Sequence, residues 1–344
     1  MMNTDWHSFL ASKNANLGEG VVHDFGDAAA ERVAAETGAI MCDLSQFGLL
    51  RVSGEDAQSF LQNLLSNDIR DTDSGRAQLS SFNNAKGRML ASMLVWKQGD
   101  DYLLQMPRGL CEAIRKKLTM YVLRSKVKIA DVSDEKLCLG FSGDKALSAL
   151  QGLYATLPAE NMSVAHAEDA TLIRRDAGRV QIITDILRAT DIWQSLGGTA
   201  MAVGSPCWDW LDIRAGIPFI LPQTQEAFVP QMVNFELIGG INFKKGCYPG
   251  QEVVARMHYL GKAKRRMYLA RVMIDAAPLP GDKVFSAADP AQPCGEVVNA
   301  AQAAHGGYEM LVVVQTEAAD SFPVHLGTLT GPRLEFEPLP YALP

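Results

Sequence analysis

Apolar positions along the chain follow two different rhythms, and the change between them divides it. In the first two thirds, helical and strand periods are interleaved without strict alternation. In SGEDAQSFLQNLLSND, residues Ala57, Phe60, Leu61, Leu64 and Leu65 share one helical face, with Ser53 placed to cap it. GLCEAIRKKLTMYVL repeats that spacing at Leu110, Ile114, Leu118 and Tyr121. Between them, MLASMLVW and DYLLQM read as strands joined by the turn Lys97 to Asp100. KLCLGFS and GRVQIIT continue as strands, and RATDIWQSLGG reads as a helix ended by Gly197 and Gly198. SPCWDWLDIRAGIP is punctuated as a helix: Ser205 as cap, Pro206 in the first turn, Gly216 as stop and Pro218 beyond it. After Lys264 the pattern shifts to short strands, RMYLARVMI, KVFSA, GEVVN, YEMLVVVQ and FPVHLGTL, broken by Gly, Asp and Pro. That texture predicts a small β-barrel or sandwich, so the fold class expected is α+β with a β-rich C-terminal domain.

Composition narrows the function classes. The 344 residues are 47% hydrophobic and 21% charged, enough for two or three domains with ample core. A net charge of −7 argues against a general nucleic-acid binder. The start MMNTDWHSFL lacks a charged segment followed by an apolar core, and no run approaches 18 apolar residues, so neither a signal peptide nor a membrane span is expected. The six cysteines, Cys42, Cys111, Cys138, Cys207, Cys247 and Cys294, form no CxxC pair, and the six histidines are scattered. A zinc ribbon, a local iron–sulfur ligand set and any other intrinsic metal site are therefore not expected, and reduced thiols in a cytoplasmic protein are the default.

One segment departs from the acidic average. From Lys244 to Arg271 there are eight Lys/Arg and one acid, Glu252, a local charge of +7 that leaves −14 for the remainder. Within it, Cys247 precedes a helix expected from about Pro249. A helix N-terminus presents unpaired N–H groups and the positive end of its dipole, and Lys244 and Lys245 add to that field. All favour thiolate over thiol, the usual preparation of a reactive cysteine. The same pattern also fits an inert packing cysteine, or a helix N-terminus that holds an anionic ligand. The run Lys262, Lys264, Arg265 and Arg266 fits a solvated face or a weak RNA contact. Trp208 and Trp210 point in different directions from one helix, so one of them could meet a flat ligand, although core packing explains either. Lys86 and Arg88 in FNNAKGRML lie in a polar turn suited to an anion or to plain solvent. No Ser-His-Asp order, HExxH, P-loop or GxGxxG is present.

FVPQMVNFELIGGINFKKGCYPGQEVVAR, from Phe228 to Arg256, closely resembles the signature of the YgfZ family, folate-binding relatives of the glycine-cleavage T-protein. CDLSQFGLLRVSGEDAQSFLQNLLSNDI, WLDIRAGIP and EFEPLPYALP extend the likeness over nearly the whole chain. The resemblance implies a three-lobed ring around a central cavity that takes tetrahydrofolate or a derivative. One lobe would be residues 20–50 with 135–240, a second 51–134, and the C-terminal β-barrel 260–344, joined through 241–259. It implies that Cys247 is the functional thiol, and that Trp208, Phe47, Arg214, Lys245, Gln251 and Glu252 contact the folate. Phe47 stands where the family carries a stacking tryptophan, Arg214 where relatives often carry glutamate, and Pro249 where a smaller residue is common. The family is implicated in making or repairing iron–sulfur enzymes, including tRNA-modifying ones. Cys247 would then be a transient cluster ligand, a thiol reagent or a contact for client and assembly proteins.

T-proteins carry an acidic pair after the turn corresponding to Gly87–Leu90, and its aspartate is central to aminomethyl transfer. Here those positions are Ala91 and Ser92, and neither can act as the charged partner of a folate nitrogen. The leading expectation is a folate-binding accessory protein, with or without weak enzymatic activity. The alternative is a tetrahydrofolate-dependent one-carbon transferase or demethylase.

Overall fold

The computed structural model describes residues 4–72, 75–260 and 263–344, the side chain of Leu260 excepted. By internal contacts the chain forms two units: Met1–Phe60, Arg70–Gln78 and Leu94–Trp208 in the first, and Leu61–Ile69, Leu79–Met93 and Asp209–Pro344 in the second.

The first unit is built on a six-stranded sheet. Val164–His166, Ala170–Asp176, Arg179–Thr184, Leu137–Ser142, Ile40–Asp43 and Met201–Val203 lie side by side in that order, the last pair parallel and the others antiparallel. The alternation of side chains along a strand assigns its two faces. Leu139, Phe141, Val180 and Ile182 join a core with Trp6, Leu10, Ile192 and Trp193 from the helices Thr4–Ala11 and Ile186–Leu196. Cys138, Gly140, Arg179 and Gln181, one residue out of phase, lie on the opposite face, and both strands are buried throughout. A second set of strands surrounds Phe47–Ser53, which pairs antiparallel with Asp101–Pro107 and Lys128–Asp131 and is covered by the helix Arg108–Thr119.

The second unit ends in a curled, half-barrel sheet of six antiparallel strands in the order Val324–Leu326, Lys283–Ser286, Gly295–Gln302, Tyr308–Gln315, Arg265–Val272 and Glu335–Glu337. Five of these are the strands predicted from the C-terminal texture. The sixth, Glu335–Glu337, lies in the tail, where three residues between prolines and polar turns carry too little pattern to be read.

The helix read through Tyr121 ends at Thr119, and three further helix boundaries differ from the sequence reading. The helix predicted after Ser53 is only Ala57–Gln62, and Ser53 is the last residue of a strand. Gly54, at φ +115°, begins the turn that separates them. Downstream, Ser66 and Asn67 bond to other backbone instead of extending the helix: Ser66 Oγ to the Gly240 carbonyl at 2.7 Å, and Asn67 Nδ2 to the carbonyls of Leu79 and Gly239 at 2.9 and 2.7 Å. Ser205 lies inside Ser205–Arg214, and its hydroxyl donates to the Val22 carbonyl at 3.0 Å rather than capping. The helix after Cys247 starts at Gln251 rather than Pro249, because Gly250 at φ +77° cannot be part of it.

Candidate functional site

The cysteine segment is fixed to its own unit at several points. Lys245 donates through Nζ to the carbonyls of Gln62, at 2.7 Å, and Leu65, and lies 5.0 Å from the centre of the Tyr248 ring. These are carbonyls near the end of a short helix, where a cation is favoured. Gln251 Oε1 accepts from the Tyr248 N–H at 3.2 Å, and the Asn242 side chain accepts from Lys244 N at 2.8 Å. Gly250 meets the turn Asn84–Arg88 backbone to backbone: a Cβ there would lie 2.5 Å from the Asn84 carbonyl oxygen and 2.5 Å from the Gly87 nitrogen. Gly250 is glycine, therefore, for two reasons at once, its conformation and this contact. The turn is itself ordered by Asn84, whose side chain accepts from the N–H groups of Lys86 and Arg88. Arg88 reaches the carbonyls of Glu226 and Ala227, so its charge is committed within the protein.

On this frame Cys247 is exposed, while Cys42, Cys111, Cys138, Cys207 and Cys294 are buried. Burial pushes the thiols of Cys111 and Cys138 up to about 12 and raises that of Cys294. Accessibility alone thus singles out Cys247. Of the other motif residues, Glu252 is exposed in the first turn of Gln251–Leu260, and Lys245 and Gln251 are tied into the segment as described.

Arg214 is engaged with the C-terminal sheet of the same unit. Its guanidinium is 2.6 Å from a Glu337 carboxylate oxygen and 3.5 Å from Glu309, which also accepts from Trp210 Nε1 at 3.0 Å. Burial raises the Glu309 carboxyl above its ordinary range; Arg214 pulls it back and Glu337 pushes it up. Ala91 and Ser92 are buried. Ser92 Oγ donates to the Pro218 carbonyl at 3.2 Å and accepts from Ile220 N at 3.0 Å, stitching the Gly216–Ile220 corner to its strand. Of the basic run, Lys262 lies outside the described residues, Lys264 is exposed, and Arg266 is ion-paired with Glu236 and bonded to the Gln231 carbonyl.

In the first unit, Trp208 is fully buried on the polar face of the six-stranded sheet. A Cβ at Gly140 would come 2.5 Å from its benzo ring, and the Arg179 guanidinium stands 5.2 Å from the ring centre. Beside it runs a buried polar chain that sequence reading missed: Gln181 Nε2 donates to Gln105 Oε1 at 2.8 Å, and Arg175 donates to Gln181 Oε1 at 3.3 Å. Among the described residues, Trp208 Nε1 and Gln105 Nε2 are buried donors with no acceptor. The available signal was polar residues in mid-strand, Gln181 in GRVQIIT and Gln105 in DYLLQM. Phe47 is buried and lines a recess of about 20 Å³ with Ser45, Arg108 and Asp134, room for about one water and not for a pterin.

Comparison with known proteins identifies the family and the fold. A family pattern described as the GCVT N-terminal domain matches residues 19–181. The chain is 31% identical over 306 residues to the "tRNA-modifying protein YgfZ" of Sodalis glossinidius, covering 88% of this chain and 93% of that protein. It is 30% identical over 307 residues to the protein of that name from Cronobacter sakazakii, with coverage of 88% and 93%. Among solved structures, the glycine cleavage system aminomethyltransferase T from Bartonella henselae superposes with a TM-score of 0.77 over 97% of this chain and 96% of that one, at 16% identity, a likeness of fold. Identity of 30–31% across nearly the full length of these relatives places the chain in the YgfZ family, on an α+β T-protein-like fold.

Proposed function

We propose that this protein is a folate-binding accessory factor that supports biogenesis or repair of iron–sulfur enzymes, tRNA-modifying ones among them, through Cys247. The observation that carries the reading is that Cys247 is the exposed thiol of six and lies in a segment tied down by the hydrogen bonds of Lys245 and Gln251 and the close packing of Gly250. A frame of this kind presents sulfur to a partner without the entropy cost of ordering a loop. Among the described residues no three His, Cys, Asp or Glu side chains converge as metal ligands. A cluster handled by Cys247 as cargo would take its other ligands from the partner that delivers or receives it.

The folate is assigned to the buried polar chain of the first unit on the strength of its unmatched donors. Trp208 Nε1 and Gln105 Nε2 are orphaned donors, and a pterin lactam supplies acceptors for such groups. Trp208 would serve the ligand through its N–H, since its ring is already packed on Gly140 and under Arg179. Gln181 and Arg175 would hold Gln105 in orientation. When bound, a folate supplies a one-carbon carrier; this chain's contribution is binding and orientation. At the positions of the T-protein acids, Ala91 has no ionisable group and the Ser92 hydroxyl is committed to Pro218 and Ile220, which favours a role without aminomethyl transfer. Isothermal titration with tetrahydrofolate tests the assignment. Trp208→Phe and Gln105→Leu should each weaken binding by about tenfold, the worth of one to two buried hydrogen bonds. Unchanged affinity in both would remove the folate from this site.

A further inference from the structure

In the second unit, the helix Gln251–Leu260, the strand Arg265–Val272 and the C-terminal tail border a cavity of about 600 Å³, the size of a small-molecule site. Leu237, Met257 and Leu343 give it apolar walls, and Gln231, Glu236, Arg266 and Asp320 line its polar part. Arg266 is committed within the protein. Its Nη1 is ion-paired with Glu236 Oε1 and donates to the Gln231 carbonyl at 3.0 Å, and both side chains of the pair are buried, 12% and 10% exposed. Gln231 is buried too, and its Nε2 donates to the Val254 carbonyl at 2.6 Å. A carbonyl only accepts, so this bond fixes the amide and leaves Oε1 as the spare atom. Gln231 Oε1 and Glu236 Oε2 are then buried acceptors with no donor among the described residues. Asp320, on the helix Thr316–Ser321, lines the same cavity and meets no cation among the described residues.

Buried acceptors without donors are rare, because each has given up its hydration for nothing. Two of them on one cavity, beside an unpaired carboxylate, select a ligand that is positively charged and rich in N–H donors. An ammonium carries three donors on a strongly hydrated point. A guanidinium carries five in a planar fork and is more weakly hydrated, which suits two acceptors on separate side chains of a sheltered cavity. The end torsions of Glu and Gln side chains are broad, so a small rotation turns either oxygen to the cavity while the backbone stays in place. We propose that this cavity binds a guanidinium group, carried by a free guanidino compound or by an arginine side chain of a peptide, which donates to Glu236 Oε2 and Gln231 Oε1. Two carboxylates, Glu236 and Asp320, then balance two cations, Arg266 and the ligand, and the apolar walls cover the ligand's methylenes. The site rests on neither the folate nor the Cys247 reading.

Isothermal titration of the full chain with N-acetyl-arginine methylamide tests the proposal. Its citrulline and lysine counterparts are the controls, and an acetylated pentapeptide with one central arginine is the second source. The arginine compound should bind about tenfold or more tighter than the citrulline one, which keeps the shape without the charge, and tighter than the lysine one. Asp320→Asn should weaken it about three- to tenfold and Glu236→Gln about tenfold or more. Glu236→Gln also breaks a buried ion pair. Should it not fold, Met257→Trp fills the cavity with every charge in place and should abolish binding. Trp208→Phe and Cys247→Ser should bind as the parent does, so this site fails separately from the folate and thiol readings. Tighter binding of the pentapeptide than of the blocked amino acid assigns the guanidinium to a peptide, and equal binding to a free compound; either supports the site. No binding at millimolar concentration, equal affinity for the arginine compound and either control, or affinity unchanged in both Asp320→Asn and Met257→Trp overturns it.

Discussion

Gly250→Ala is the sharpest test of how the cysteine segment is built. The residue sits at φ +77°, where a side chain costs about 1–2 kcal/mol. Its new Cβ would also lie 2.5 Å from the Asn84 carbonyl oxygen and the Gly87 nitrogen. Those are backbone atoms, which cannot rotate away, so overpacking adds about 1–3 kcal/mol. The total loss is about 2–5 kcal/mol, enough to lower a urea midpoint by about 1–2 M at a slope of about 2–3 kcal/mol/M. Gly246→Ala, four residues earlier, is the control: nothing lies within 4 Å of a Cβ there, and its φ is outside the left-handed region. It should change stability by less than about 0.5 kcal/mol. Urea unfolding followed by tryptophan fluorescence reads both, and hydrogen exchange over residues 243–256 should rise in Gly250→Ala alone. Equal effects of the two substitutions, or no loss at Gly250, would refute the close packing of this segment on the Asn84–Arg88 turn.

Thiol accessibility gives a second check: under native conditions one thiol per chain should react rapidly with a maleimide, none should in Cys247→Ser, and five more should appear on unfolding. Arg214→Gln should destabilise in a pH-dependent way. Because burial raises the Glu309 carboxyl, its proton is held more tightly in the folded chain; that stabilisation is full below the unfolded value and is lost as pH rises through the folded one. Removing Arg214 deepens the loss, so the penalty should be near zero at about pH 4 and about 1–2 kcal/mol at about pH 7.5, a figure discounted because Arg214 is 44% exposed. Urea midpoints measured at both pH values decide it, and a penalty larger at low pH would contradict the pairing.

Legibility in the sequence followed how local each cause was. Strands such as Leu137–Ser142 and Arg179–Thr184 were visible because both faces are buried, leaving unbroken apolar runs around single polar residues. The C-terminal sheet was visible from its turn residues. What Gln181 and Gln105 do was not, because their bond joins residues 76 apart and nothing in either strand names the other. Arg214 stood in the sequence as a folate contact implied by the resemblance, while its carboxylate partners lie 95 and 123 residues away. The need for glycine at Gly250 was not legible either, because the backbone it accommodates, at Gly87, is again remote in sequence. The exposure of Met120, Tyr121 and Leu123 was hidden by a helical period that continues to Tyr121, although the helix ends at Thr119.

On the proposed function, iron–sulfur enzymes depend on the exposed thiol rather than on the folate site. Cells lacking this protein, supplied with Cys247→Ser, report it directly through the activity of an iron–sulfur tRNA-modifying enzyme, measured alongside tetrahydrofolate affinity of the purified variant. Support of that enzyme should be lost with folate affinity within about twofold of the parent, since the substitution leaves the buried polar chain at Trp208 untouched. Full support by Cys247→Ser would contradict it.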